Sequence, residues 1–271
     1  MPQRGGAGRP HKRPVGDITR GTTNPNRLRR VDNWLLWRAG DVLRTAAEPL
    51  VVDLGFGASP VTTVELRDRL AQARPDVTVI GLEIDPARVA EAAPAADPPR
   101  LDFRLGGFEL AGLRPVLLRA MNVLRQYDES EVDSAWTMLR AGLAPDGVAI
   151  EGTCDELGRL AGWVTLTQDG PISLTLAAKL STMEHPSELA QRLPKALIHR
   201  NVPGEGIYDL LQTLDEAWRA AAPYATFGPR QRWLRTVAAL HDTGWPLLDR
   251  PSRWRLGECT VAWSAVAPGE H

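Results

Sequence analysis

The chain has 271 residues, with 32 Lys and Arg against 33 Asp and Glu, and 43% of its positions are apolar. That length supports one large domain with its own core, and the composition excludes a disulfide scaffold, a collagenous repeat and wholesale disorder. Two cysteines, Cys154 and Cys259, form neither a cross-link framework nor a four-ligand zinc site, no apolar run approaches the roughly 20 residues a bilayer needs, and no secretory signal opens the chain, so a reducing cytoplasm and no metal are expected.

Charge is unevenly spread: residues 1–30 sum to +7 and the remainder to −8. Three lysines stand beside 29 arginines, a bias that makes arginine richness alone a poor argument for phosphate binding. Residues 1–26, rich in Gly, Pro and Arg without apolar periodicity, read as a basic flexible arm. Leu28, Val31, Leu35, Leu36, Ala39, Val42 and Leu43 then recur at helical spacing, which predicts an amphipathic helix within 27–48. Leu50-Val51-Val52-Asp53-Leu54 predicts a buried strand, Gly55-Phe56-Gly57-Ala58-Ser59 a tight turn, and Pro60 to about Ala73 a helix. Val77 to Leu82 is the next strand, stopping at Glu83-Ile84-Asp85-Pro86. Strand, helix and strand in this space form a βαβ unit with a right-handed crossover. Weaker strands are read at Leu101–Leu105, Val116–Val123 and Val148–Gly152, with a helix over Ser130–Leu143. Two more strands flank Gln168-Asp169-Gly170-Pro171, helices are predicted over Leu189–Ile198, Ile207–Ala221 and Gln231–His241, and a last strand over Thr260–Ser264. The expected fold is α/β: an open, mainly parallel Rossmann-like sheet covered by helices, with late antiparallel strands. Residues 49–178 would be the cofactor-binding core, and 179–271 would complete the sheet and cover the acceptor site.

Open sheets of this kind bind ligands beyond the C-terminal ends of their strands. A small-residue turn lets backbone approach a ligand, and a carboxylate at the end of the second strand, here Glu83, can accept hydrogen bonds from two vicinal ribose hydroxyls. The 28 positions from Gly55 to Glu83 match one crossover plus one strand, so a nucleoside site is expected. Neither the third glycine of a dinucleotide fingerprint nor the Gly-Lys-Ser/Thr of a phosphate loop follows Gly57, which removes support for a polyphosphate cradle.

Over residues 49–153 the chain resembles the class I, Rossmann-like S-adenosylmethionine-dependent methyltransferases. The likeness rests on Val52-Asp53-Leu54-Gly55-Phe56-Gly57, Gly81-Leu82-Glu83-Ile84-Asp85, Asn122-Val123-Leu124 and Leu143-Ala144-Pro145-Asp146-Gly147. It implies S-adenosylmethionine as cofactor, with Asp53, Gly55, Phe56 and Gly57 around its methionine moiety, and Glu83 and Ile84 at the ribose. Those enzymes usually carry an acidic residue after the third strand; this chain has Gly106-Gly107-Phe108-Glu109, so Phe108 is expected to pack on the base, with Gly107 or Glu109 supplying the polar contact. Asn122 is expected near the sulfonium or the acceptor.

Methyl transfer from a sulfonium is a direct displacement, so the protein mainly supplies alignment, and the acceptor is hard to read from sequence. The Asp/Asn-Pro-Pro-aromatic segment of amino-group nucleic-acid methyltransferases is absent after the fourth strand, and Cys154 lacks the companion Pro-Cys of RNA cytosine-C5 enzymes. The acceptor is therefore left between a small metabolite and an RNA held through the basic arm, with a non-catalytic nucleoside-binding protein as the alternative. His199 is the candidate general base, with Tyr127, Glu151 and Asp155 as further rim candidates. Trp136, Trp163, Trp218, Trp233 and Trp263 sit in apolar patterns and are expected in the core.

Overall fold

The computed structural model describes residues 14–18 and 23–269. The predicted basic arm therefore falls largely outside the described residues. The first helix, α1 (Arg29–Thr45), leads into β1 (Leu50–Leu54), α2 (Val61–Ala71), β2 (Thr78–Glu83), α3 (Pro86–Ala92), β3 (Leu101–Leu105), β4 (Leu117–Met121), α4 (Val132–Gly142) and β5 (Val148–Cys154). A meander of β6 (Leu160–Leu166) and β7 (Pro171–Ala178) follows, then α5 (Lys195–Ile198), α6 (Gly206–Ala220), α7 (Pro229–Asp242), α8 (Pro251–Trp254) and β8 (Glu258–Ala262). Among the described residues the eight strands form one sheet in the order β3-β2-β1-β4-β5-β6-β7-β8. From β3 to β5 the pairings are parallel, and β6, β7 and β8 are added antiparallel. This is the mainly parallel, helix-covered sheet that the alternating pattern predicts.

The order of strands reverses between β1 and β4, which creates a crevice above their C-terminal ends. Because side chains alternate along a strand, the sheet has two cores. Val51, Leu117, Met121, Ile150 and Trp163 face α1 and α2, where Trp163 meets Trp34 at 5.4 Å between ring centroids. Val52, Leu118, Ala149 and Leu174 face α4, α6 and α7, whose Trp136, Trp218 and Trp233 are buried. Trp263 is half-buried against Trp136.

Several boundaries differ from the sequence reading, each for a local reason. The helix expected over Leu189–Ile198 is a 3₁₀ segment, Pro186–Arg192, followed by the short α5. Pro194 between them cannot donate to a continuing helix. The sequence reading also missed α3, although Asp85 and Pro86 are its start signal: the Asp85 side chain accepts from the Ala87 N–H at 2.9 Å. The last strand begins two residues before its predicted start, at Glu258, because that carboxylate turns inward to a bidentate pair with Arg253 at 2.7 and 2.8 Å.

On the α1/α2 face the strands carry a buried ion cluster that the sequence reading overlooked. Arg119, in the middle of β4, is fully buried. Its Nε and Nη2 donate to the two oxygens of Asp53 on β1 at 2.9 and 2.7 Å, Nη1 donates to Asp32 of α1, and Nη2 also reaches the Thr62 carbonyl of α2 at 3.0 Å. Thr63 Oγ1 adds a 2.6 Å bond to Asp53, and Arg69 a 2.7 Å bond to Asp32. Desolvation works against the charge, but Asp32 and Asp53 together hold the Arg119 guanidinium above its ordinary pKa. The cluster is satisfied only as a set. Arg119→Met strands two buried carboxylates and should destabilise the fold by about 3–5 kcal/mol, read as a lower denaturant midpoint. A loss below about 1 kcal/mol would show that the carboxylates find other partners.

Candidate functional site

Three strand tips meet at the crevice. The turn after β1 is held open by Gly55, whose φ of +70° suits glycine and where a Cβ would lie 2.7 Å from Val123 Cγ2. Gly55 thus fits the turn against the β4 exit as well as exposing backbone. After β2, the Glu83 carboxylate is only 3% exposed and is pinned from both sides. Its Oε2 accepts from the Gly57 N–H at 2.9 Å, and its Oε1 from the Ile84 N–H at 2.9 Å and the Asp85 N–H at 3.3 Å. Arg88 adds a longer contact at 3.6 Å. One side chain therefore ties the glycine bend to the end of the second strand. After β3, the Glu109 carboxylate folds back on its own loop, accepting from the Gly107 N–H at 2.9 Å. Phe108 is buried and packs edge-on against Tyr127 at 5.4 Å.

Leu54, Gly55, Glu83, Ile84, Gly106, Gly107, Phe108, Val123 and Tyr127 line the crevice. So do Val15, Gly16 and Asp17. The segment 14–18 crosses the loop after β3 as a strap: the Phe108 N–H donates to the Val15 carbonyl at 2.9 Å, and the Val15 N–H donates to Glu109 Oε2 at 2.8 Å. Tyr127 Oη takes the Asp17 N–H and donates to the Asp17 carbonyl at 3.2 Å. Under the strap about 20 Å³ remains, room for a water and not for a nucleoside. The walls suit a nucleoside; the free volume suits one only when the strap is elsewhere. Tyr127 entered the sequence reading only as a rim residue and the strap not at all, since residues 14–18 carry no periodicity and their bonds are mostly through backbone.

The remaining expected site residues go elsewhere. Asp53 belongs to the Arg119 cluster beneath the turn, on the other face of β1 from Leu54. Phe56 turns into the α2-side core and meets Phe103 at 5.2 Å, so its ring is a packing element. Asn122, at φ +63°, spends its amide on Cys154: Oδ1 accepts from the Cys154 N–H at 2.9 Å and Nδ2 reaches Sγ at 3.3 Å, which latches the ends of β4 and β5. Cys154 is buried there. Asp155 caps the β5–β6 turn through the Arg159 N–H at 2.6 Å. His199 is exposed after α5 and lines a different cleft, of about 560 Å³, with Glu129, Arg200 and Glu205. Among the described residues no cluster of three or more His, Cys, Asp or Glu could hold a metal ion, and no helix is long and apolar enough to cross a membrane.

Glu151 is not a rim residue. It is fully buried on the α4 face of β5, where Trp136 Nε1 donates to Oε2 at 3.2 Å while Oε1 has no hydrogen-bond partner among the described residues. Burial pushes its carboxyl up to about 8.

No family model matches the chain, and neither does any curated protein. Solved structures match it in part. A methyltransferase of calicheamicin biosynthesis, in its S-adenosylhomocysteine-bound form, aligns at 18% identity and TM-score 0.34 over 46% of this chain and 35% of its own. Human N-acetylserotonin methyltransferase in complex with S-adenosylmethionine aligns at 21% and 0.32, over 49% and 39%. Magnesium protoporphyrin IX methyltransferase from Synechocystis, with bound S-adenosylmethionine, aligns at 20% and 0.36, over 47% and 59%. The chain spans less than two thirds of the length of each.

The buried Glu151 gives the site's flank a pH signature. Its folded-state pKa lies above the unfolded one, so the folded chain keeps a proton that the unfolded chain loses, and the stability this contributes falls as pH rises through the interval up to about 8. The melting temperature of the wild type should drop relative to Glu151→Gln between about pH 5 and 8.5. Parallel curves would mean that Glu151 does not hold its proton.

Proposed function

We propose that the chain is an S-adenosylmethionine-dependent methyltransferase whose cofactor lies along the crevice from the Gly55–Gly57 turn to the loop after β3. The observation that carries this reading is the Glu83 carboxylate, which bonds the Gly57 N–H and lines the same crevice as Gly107 and Phe108. A carboxylate has about four acceptor directions. Glu83 uses three on backbone N–H groups, one of them long, with Arg88 at 3.6 Å, which leaves about one direction for a ribose hydroxyl in the crevice it lines; a second hydroxyl would share an oxygen already bonded. The Phe108 N–H donor beside the Glu109 acceptor matches an adenine edge, whose amino donor adjoins a ring-nitrogen acceptor. Phe108 and Ile84 give the base its apolar walls.

Bound there, S-adenosylmethionine would supply a methyl carbon open to direct displacement. The residues then have to align and to exclude water. Asp53 acts indirectly: locked by Arg119, it sets the position of Leu54 and Gly55. Asn122 keeps the β4 and β5 tips in register through Cys154. His199 stays outside this machinery, in its own cleft.

One observation favours a polyanionic acceptor, such as RNA, over a small neutral metabolite. Beyond the β5 and β7 tips, two adjoining clefts of about 430 and 450 Å³ share Arg30, Lys179 and Leu256. Arg29 lines the first, and Arg230 and Arg255 the second. The one carboxylate at their edge, Glu258, is taken by Arg253. Among the described residues Arg29, Lys179, Arg230 and Arg255 have no ion-pair partner, so their charge is available to phosphates.

Glu83→Gln, which keeps an acceptor for the backbone N–H groups, should weaken S-adenosylhomocysteine binding by about 1–3 kcal/mol in calorimetry, while Glu83→Ala should in addition lower the melting temperature because it strands three backbone donors. Unchanged affinity would remove Glu83 from the site and with it this reading. For the acceptor, combining Lys179→Ala, Arg230→Ala and Arg255→Ala should flatten the slope of log K for RNA against log salt by about 2, the loss of three phosphate contacts on a single strand. An unaltered slope would place RNA elsewhere or point to an uncharged acceptor.

A further inference from the structure

The strap has the same hydrogen-bonding face as the ligand proposed for the crevice. Val15 offers the loop after β3 one acceptor, its carbonyl, and one donor, its N–H, and these engage the Phe108 N–H and the Glu109 carboxylate. Adenine would present the same pair, acceptor and amino donor side by side, to the same two groups. The approach is close. A Cβ on Gly107 would lie 2.0 Å from the Val15 carbonyl oxygen, so nothing separates strap and loop backbone where a base would slide in. Asp17 and Gly16 continue the strap over Tyr127, whose hydroxyl holds the Asp17 peptide on both its N–H and carbonyl sides.

We propose that residues 14–18 are an intramolecular competitor of the cofactor: the Val15 peptide occupies the base-reading groups of the crevice, and the adenine of S-adenosylmethionine has to displace it. This rests on the cofactor reading given above. The strap is suited to leave. Val15, Asp17 and Ile18 are exposed and Pro14 and Gly16 half-buried, so the segment buries little apolar surface and is held by a few hydrogen bonds. A site that is free only part of the time binds with an affinity reduced by the free fraction, so the strap sets the cofactor concentration at which the crevice fills.

The test uses the full chain. Val15→Pro removes the N–H that Glu109 accepts. Gly16→Val, at a residue of φ +133° where a Cβ would meet the Tyr127 hydroxyl at 2.8 Å, dislodges the strap independently. Calorimetry with S-adenosylhomocysteine should show each variant binding about ten-fold more tightly than wild type. In the wild type, saturating S-adenosylhomocysteine should speed hydrogen exchange at the Val15 amide while the Phe108 amide stays protected, its partner having changed from peptide to base. Equal affinity in all three chains overturns the competition and leaves the cofactor reading standing. Weaker binding by the variants, or slower Val15 exchange with ligand, makes the strap a lid that closes on the cofactor and also overturns it. No binding by any of the three fails the cofactor reading itself, and the proposal with it.

Discussion

The geometry of the crevice depends on a charge that the crevice does not contain. Arg119 sits in the central strand pair of the sheet, out of reach of water, and its guanidinium is shared by carboxylates from β1 and α1 and a carbonyl from α2. A buried arginine cannot shed its proton, so all these acceptors must stay where they are. Apolar packing alone would tolerate a small slide of α1 along the sheet, but a forked hydrogen-bonding pattern with fixed directions does not. The β1 strand is fixed at Asp53, two residues before Gly55 opens the turn, and that is the point where a displacement of about 1 Å would misplace a bound ligand.

Strand periodicity explains how adjacent residues of β1 come to serve separate purposes. Asp53 points to the α1/α2 face with Val51, and Leu54 to the opposite core and the crevice. The acidic residue of the first motif is therefore a foundation here, while Glu83 at the end of β2 and Glu109 in the loop after β3 accept from backbone N–H groups beside the crevice. A carboxylate held by several N–H donors is pre-oriented and pays little to accept further hydrogen bonds. The lower layer is apolar and ionic, the upper layer polar and backbone-rich, and the switch between β1 and β4 is where they meet.

The parallel half of the fold was legible because β1, β2 and β5 are short, mostly apolar runs ending at Gly or Asp-containing turns, while β3, with Asp102 and Arg104, and β4, with Arg119, gave a weaker signal. The place of Glu83 at the end of β2 was legible for the same reason: it is the first polar residue after an apolar run, at a distance that only one crossover fits. The side chains of Asp53 and Phe56 turn away from the crevice, which the motif could not tell, because it gives positions along the chain and not the face to which a side chain turns. The clue for Asp53 was present in Leu117-Leu118-Arg119-Ala120-Met121, where an arginine inside an apolar strand requires buried acids. Glu151, likewise inside a strand, was read as rim when its neighbours Ala149, Ile150 and Thr153 are all buried. The strap left no such clue. Its bonds come from peptide groups, which every residue carries, so no pattern of side chains could have announced it.

That backbone origin also bears on how the crevice would be regulated. A segment of the same chain competes at an effective concentration fixed by its tether, commonly millimolar for short connections, and it needs little intrinsic affinity to occupy a site most of the time. Two peptide hydrogen bonds and a tyrosine contact are of that modest order. A ligand displacing them brings ribose hydroxyls to Glu83, an interaction the strap does not make, and this differential contact is what an equilibrium between two occupants of one crevice requires. The selectivity of the proposed device would then lie in Glu83 and not in the base-reading loop, because Phe108 and Glu109 can be satisfied by peptide or by adenine while only a nucleoside would add a ribose contact to Glu83.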